Sequence, residues 1–536
     1  MEKEAVSSEP KVFLRESTGL VKNVSALDAI SLNLSNMSAG AALATIAFTM
    51  IAVNTNGTNL VLASVFAFVL SIPQVVVYTI MTRRLPRSGG DYVWVSRSLG
   101  GFWGSSLAFM GYVLETLAFL ALIALAAVEA IGSVGLFFGY TNLTGIALPP
   151  TPAFISFGAV PWEQFALASV IFIALILVNI FKPKAGFKLV TVLAMFGVAT
   201  LFIAIFTILG YGHQGVVSYM NTLNASAPAS GVTANITYSQ VASLYHGTSF
   251  NFGNTIFLLP FFALFVYPWL NAAPAVGSEI KGKKAVGWNI PISSLVVFIM
   301  VTSAFGAMYY AGGMGFINAA LSYGPLETFS FNFWTLAMGV TSITALQWLI
   351  GIGWVVWNVS ILAYGIIIFS RYIFAMSFDR FLPSNIANIS RWGSPIIAHI
   401  FDLVVTLGLI GVAAFLYGSF QTLYAATVAA MIYFVAVGIS AVVYAMRKES
   451  GSTKGILGAS GILMAGVFLF IIYQYFTNPT IWGTSATVNG VPGYWIAYAY
   501  AAGSFIAGAV IYLLSKRSHA KKGIDISLAY KEIPPE

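Results

Sequence analysis

Glu115 is the residue in this chain best placed to do chemistry. It stands twelve residues into an apolar run that begins at Trp103, about 18 Å along a helix and so near the middle of a bilayer-length segment. A carboxyl group at that depth is costly unless it faces a cavity, pairs with a cation or carries a proton. Glu115 is therefore a candidate partner for a positive charge and a candidate proton carrier; the plainer reading is a protonated acid hydrogen-bonded to a neighbouring helix. Asp28, Glu129 and Asp402 lie nearer the ends of their apolar runs and are expected to be structural.

Two further stretches carry polar groups where lipid offers them no partners. The segment from Phe261 to Lys281, FFALFVYPWLNAAPAVGSEIK, is apolar enough to cross a bilayer yet contains Pro268, Asn271 and Pro274. Each proline removes a backbone donor and clashes with the carbonyl one turn earlier, so a broken helix is expected with exposed backbone groups at its middle. Such breaks form substrate sites in transporters, where half-helix ends point at the ligand; the alternative is a simple proline kink. The second stretch, SLNLSNMSAGAALATIAF, sets Asn33, Ser35, Asn36, Met37 and Ser38 beside Ala39, Gly40, Ala41 and Ala42. Small and polar residues there suit either close helix packing or an unwound segment whose free N–H groups receive a carboxylate.

Several other chemistries are excluded. The chain has no cysteine, so it has no disulfide, thiolate metal site or cysteine nucleophile. His213, His246, His399 and His519 do not cluster at metal-ligand spacing, and no phosphate-binding glycine loop of the G-x-x-x-x-G-K-[ST] kind is present. No metal, no cofactor and no enzymatic activity is expected.

The elements that must position these residues are membrane helices. Of 536 residues, 58% are hydrophobic and only 8% charged, far outside the composition of soluble domains. Apolar runs near the roughly 20 residues a bilayer requires predict about twelve transmembrane helices, at 26–52, 60–82, 103–138, 162–181, 186–210, 254–278, 288–312, 343–377, 396–416, 420–446, 455–477 and 494–515. The third and eighth runs are too long for one perpendicular crossing and should tilt or extend beyond the bilayer. The polar start followed by a long apolar run reads as no cleavable signal peptide.

All 25 Lys and Arg fall in the segments 1–25, 83–102, 182–188, 279–288, 371–395, 447–454 and 516–536 or at their helix ends. The alternate loops, 53–59, 139–161, 211–253, 313–342, 417–419 and 478–493, hold none. Positive residues mark the cytoplasmic side, so both termini are expected there. The same asymmetry accounts for the net charge of +8 without nucleic acid. The outer loops carry only Glu163 and Glu327 as charges, and the longest, 211–253, reads as exposed and little folded. Asn224 and Asn235 stand in glycosylation sequons on that side; Asn23 and Asn388 match the same short pattern on the other. Between the second and third runs, Pro86-Arg-Ser-Gly-Gly-Asp-Tyr reads as a tight glycine turn.

Taken together, these stretches resemble the amino acid-polyamine-organocation (APC) transporter superfamily. Pro86-Arg-Ser-Gly-Gly-Asp-Tyr92 looks like its Pro-x-x-Gly-Gly-x-Tyr, and Ser370-Arg371 through Met376, Asp379 and Pro383 looks like its Ser-Arg-x-x-x-x-Met-x-x-Asp-x-x-x-Pro pattern. Glu279-Ile-Lys281 is similar to its acidic exit from the sixth helix. The resemblance implies an all-α polytopic membrane protein with a five-plus-five inverted repeat, helices 1 and 6 broken and two helices added. The divisions are then 1–25 tail, 26–210 first repeat, 211–253 outer loop, 254–446 second repeat, 447–515 helices 11 and 12, and 516–536 tail. It also implies a substrate site at Asn36, Met37, Ser38, Ala39, Gly40, Ala41, Glu115, Phe265 as a gate, Val266, Tyr267, Pro268, Asn271 and Tyr364. Ala39 and Ala41 stand where the family has glycine, and Met195 lies near the position where some proton-coupled members carry a lysine.

The function this implies is secondary active transport of amino acids across the plasma membrane, by proton-coupled symport or exchange, with the lipid bilayer, a small-molecule substrate and protons as partners and no nucleic acid. A polyamine or other organocation carrier is the alternative. A transport-fold nutrient sensor or a channel fits less of the sequence, because the tails are short and no continuous polar lining is present.

Overall fold

Apolar segments of this length can satisfy their backbone groups only within themselves, and they do so as helices. The computed structural model describes residues 20, 22–52, 56–143, 160–226, 237–248, 250–323, 326, 331–415, 427–478, 487–488 and 491–533. Among these the only ladder is a small hairpin pairing Thr487–Val488 with Val491–Pro492. The chain opens with α1 (Ala26–Asn36) and α2 (Ala39–Ala52), then α3 (Leu60–Arg84), the short α4 (Asp91–Leu99) and α5 (Gly101–Phe137). It continues through α6 (Val160–Phe181), α7 (Pro183–Ser226), the pair α8 (Leu259–Phe265) and α9 (Ala272–Ala275), and α10 (Lys283–Gly312). It closes with α11 (Thr344–Phe378), α12 (Ile396–Phe415), α13 (Val428–Lys448), α14 (Gly451–Thr477) and α15 (Gly493–Ala520). Ten helices among the described residues are long and apolar enough to cross a membrane.

Both runs expected to break do so. The first is interrupted at Met37–Ser38, where Ser38 takes a φ of 51°. The left-handed backbone there separates α1 from α2, and the Ser38 hydroxyl stabilises it by donating to the carbonyls of Ser35 and Asn36. The second is interrupted after Phe265: Val266 has φ −122° and ψ −88°, and the chain stays irregular until α9. Pro268 stands inside that gap, where its missing N–H leaves no ladder bond unmade.

The long third and eighth runs are continuous helices and form the centre of the molecule. In α5 and α11, 78% of the most apolar window is buried, against 28% in α14 and α15, so α5 and α11 are the interior posts and the last two helices the periphery. A π-helical turn over Phe109–Leu114 interrupts α5 immediately before Glu115. The extra residue of such a bulge rotates the faces on either side of it relative to one another.

One expectation needs correcting. The stretch 211–253 is not little folded at its ends: α7 runs on to Ser226 through a kink at Gly212 (φ 53°), and Tyr238–Ser243 is a capped helix. Tyr238 stacks on Phe316 with ring centroids 4.4 Å apart and donates to the Gly312 carbonyl at 2.9 Å. Aromatic rings spaced along a polar segment supply the apolar area that its composition does not advertise. Asn235 and Glu327, and the side chain of Asn224, lie outside the described residues.

The face that carries the Lys and Arg residues is drawn tightly together. Val24 pairs with the exit of the second broken run, its N–H donating to the Glu279 carbonyl (3.0 Å) and its carbonyl accepting from Lys281 (2.8 Å). The turn before α4 abuts the same segment: the Gly89 N–H donates to Ala275 at 2.9 Å, and a Cβ on Gly90 (φ 46°) would stand 2.8 Å from the Pro274 carbonyl carbon. Glycine is required there both by its dihedral and by this approach. Asp28 is structural as expected, capping α1 with Ser25 and accepting from Thr191 (2.6 Å) and Lys188 (3.0 Å) of α7.

Candidate functional site

The two breaks lie side by side and are joined through asparagine. Asn36, the last residue of α1, donates from Nδ2 to Oδ1 of Asn271 at 2.9 Å, bridging 235 residues of sequence. Its own Oδ1 accepts from the Tyr364 hydroxyl of α11 at 2.6 Å. One helical turn earlier, Asn33 accepts from the backbone N–H of Ala273 (2.9 Å) and donates to Asn289 of α10 (2.9 Å). Polar side chains three residues apart share a helix face, so the Asn33–Asn36 spacing is the sequence signal for a polar seam between the two broken runs.

A second periodicity organises α11. Trp357, Tyr364 and Arg371 recur every seven residues, two turns apart on one face. The Trp357 ring covers Gly40 and Gly197, leaving no room for a side chain at either. Tyr364 meets Asn36. Arg371 forms a buried pair with Glu279, Nε to Oε1 at 2.8 Å and Nη2 to Oε2 at 3.0 Å. One face of a single helix thus touches the start of α2, the end of α1 and the exit of the second break.

The start of α2 has the character of an anion-binding end. The carbonyl of Ser38 takes up the Ala42 N–H, and helix geometry leaves Ala39, Gly40 and Ala41 as the first turn, whose N–H groups have no partner within the helix. Gly40 is held from the other side, its carbonyl accepting from the Trp334 indole at 2.8 Å. Met37, Ser38, Ala39 and Ala41 are all buried.

Glu115 opens the α-helical part of α5 just beyond the π-helical turn, with 3% of its surface exposed. Its neighbours along α5 place it beside α11 and the second break. Tyr112, one turn before it, stacks on Tyr372 of α11 at 4.5 Å; Phe119, one turn after it, stacks on Trp269 in the second break at 6.1 Å. Oε2 of Glu115 receives only a long contact from Thr116 at 3.4 Å, and Oε1 is buried without a hydrogen-bond partner among the described residues. A buried, half-satisfied carboxyl group is costly, and such an acceptor is the group a cation or a proton would complete.

The remaining expected residues divide. The Pro268 carbonyl is already occupied by Gln74 Nε2 (2.8 Å) and by the Leu270 N–H (2.9 Å). Tyr267 turns its hydroxyl to Ser64 of α3 at 2.7 Å, in a cluster with Thr302 of α10, which makes it a brace for the broken backbone. Asn271 lines the seam, and both it and Val266 are buried. Phe265 ends α8, and its side chain lies outside the described residues. Trp334, Trp357 and Tyr372 join the site without having been expected, and Asn33, noted only as one member of the polar stretch, joins it through its bond from Ala273. Tryptophans in an apolar run look like core, and only their contacts with Gly40 reveal a second role.

A family model described as amino acid permease matches residues 24–511. Comparison with curated proteins gives no match.

Proposed function

Because the chain belongs to the amino acid permease family and folds into membrane-length helices, it is a multi-pass membrane transporter of amino acids, and we propose that it works by alternating access as a proton-coupled symporter or exchanger in the plasma membrane, with both termini cytoplasmic. The two broken runs complete a set of twelve spans around the seam. The substrate carboxylate is received by the N–H groups of Ala39, Gly40 and Ala41 at the positive end of α2. The substrate amine is received by the open backbone at Val266 and Tyr267 and by the amide oxygens of the seam. Glu115 is the charge-responsive member, pairing with a cationic group when one is bound and carrying the coupled proton when none is. The observation that carries this reading is the buried Oε1 of Glu115, which has no hydrogen-bond partner among the described residues and stands beside the second break.

In the described state the basic face is shut by the Glu279–Arg371 pair and the Val24–Ile280 pairing. Alternating access therefore requires these contacts to part when the substrate leaves on the cytoplasmic side.

The experiment is uptake of radiolabelled alanine, glutamate, lysine and spermidine into proteoliposomes at two pH values, for the native chain and for Glu115→Gln. Saturable uptake of an amino acid is expected, weakened in the variant and with its pH dependence altered. Uptake and pH dependence untouched by Glu115→Gln would remove Glu115 from the mechanism. Transport of spermidine alone would overturn the carboxylate site at α2, because an amine without a carboxylate leaves those N–H groups unused.

A further inference from the structure

Asp91 sits in the first turn of α4, fully buried, where three hydroxyl groups from three different membrane helices converge on it. Its Oδ2 accepts from Tyr78 of α3 (2.5 Å) and Tyr112 of α5 (2.6 Å); its Oδ1 accepts from Tyr372 of α11 (2.7 Å). The helix terminus adds a favourable dipole for a negative charge. An ionised carboxylate can only accept hydrogen bonds, and this one is surrounded by donors.

That requirement propagates. Tyr372 has one hydroxyl hydrogen and gives it to Asp91, so towards Asn271 its oxygen can only accept. Asn271 must therefore present Nδ2 to Tyr372, as it does at 3.2 Å. Its Oδ1 is then left facing Asn36, which must present Nδ2, at 2.9 Å. The Oδ1 of Asn36 is left for the Tyr364 hydroxyl, at 2.6 Å. The orientation of an asparagine amide is decided by its hydrogen-bond partners, and along this chain every hydrogen points towards Asp91.

We propose that Asp91 is a positioning residue for transport: acting through Tyr372, it fixes the amide orientations of Asn36 and Asn271 and hence which polar atoms the substrate meets between the two breaks. The proposal rests on the reading that these two asparagines border the substrate site. In Asp91→Asn the new amide can donate to Tyr372, whose hydroxyl is then free to donate to Asn271 Oδ1. Both asparagines reverse, and a substrate group that found an oxygen finds an N–H.

The test is the kinetics of uptake of alanine, glutamate and lysine, each as a separate radiolabelled probe, in proteoliposomes. For the transported probe, Asp91→Asn is expected to raise KM about tenfold, the scale of one hydrogen bond replaced by a mismatch, with kcat within about twofold. Tyr372→Phe keeps the ring stacked on Tyr112 and removes the hydroxyl that joins Asp91 to Asn271. It is expected to raise KM to the same extent, and adding Asp91→Asn to it should raise KM no further. Tyr78→Phe removes a donor from Asp91 outside the chain of bonds and is expected to lower thermal stability with KM unchanged. If Asp91→Asn does not fold, Tyr372→Phe and Tyr78→Phe still decide the matter.

An unchanged KM in folded Tyr372→Phe, multiplying effects in the double variant, or an equal rise in KM with Tyr78→Phe would each overturn the proposal. Asn36→Ala separates the two levels. If it raises KM while Tyr372→Phe does not, the positioning role alone fails; if it leaves KM unchanged, or if none of the three probes is transported, the site reading fails and the positioning role falls with it.

Discussion

Glu279→Gln tests the latch on the basic face. In the described state Glu279 and Arg371 are exposed by only 4% and 3% and meet through two hydrogen bonds of 2.8 and 3.0 Å. Removing one charge from such a pair leaves the other buried without compensation, at a cost of about 3–5 kcal/mol. Glutamine retains one acceptor for the guanidinium, so about 3 kcal/mol is the appropriate figure. In the open state that the proposed alternating access requires, water reaches Arg371 and the penalty disappears. The substitution therefore destabilises the closed arrangement selectively, and at 1.4 kcal/mol per decade the open population should rise by about two orders of magnitude. The chain has no native cysteine, so Ser278→Cys provides a single reporter at a position that is 8% exposed and hydrogen-bonded to Ser88 at 2.7 Å. In proteoliposomes, the rate of reaction of this thiol with a membrane-impermeant maleimide should rise steeply when Glu279→Gln is added. A rate changed by less than about threefold, in protein that still unfolds cooperatively, would refute the latch, because a shift of the expected size cannot be hidden at that level.

Three other outcomes are expected. Gly40→Ala places a methyl group into the ring of Trp357; overpacking of this kind costs about 1–3 kcal/mol, so the melting temperature should fall and uptake be lost, with partial recovery on adding Trp357→Leu. Ser25→Ala removes the hydroxyl half of the α1 capping box, which accepts from the Asp28 N–H and donates to its carboxylate, while the residue-25 N–H, Lys188 and Thr191 still hold that carboxylate, a loss of about 1 kcal/mol read as a lower melting temperature with KM unchanged. Trp334→Phe removes the 2.8 Å indole bond to the Gly40 carbonyl, which keeps its partner within the helix, a loss of about 0.5–1.5 kcal/mol, accompanied by weaker uptake.

Some features of the site could be read directly from residue types. Helix breaks at Ser38 and Pro268 follow from polar, small and proline residues inside bilayer-length apolar runs, since nothing else in such a run disturbs a helix. Glu115 stood out because an acid at that depth is rare and costly. The heptad spacing of Trp357, Tyr364 and Arg371 was equally visible, but spacing alone does not say what a face is turned towards. Asp91 was the reverse case. In the sequence it is one residue of a glycine turn, and its burial among three tyrosines depends on α3, α5 and α11 converging at one point.

What the sequence determined by itself is everything that depends on the local chain and its solvent: which segments are long and apolar enough to cross a bilayer, which of them break, and where the Lys and Arg residues fall between them. Hydrophobic length, proline chemistry and charge placement act within one segment at a time, so no partner is needed to read them. The tertiary structure alone decided which polar groups meet. Asn36 and Asn271 are 235 residues apart, and Asp91 and Tyr372 are 281 apart. Inside a membrane each such group must find a donor or acceptor from another helix, and the choice among many equivalent partners is made by how the helices pack.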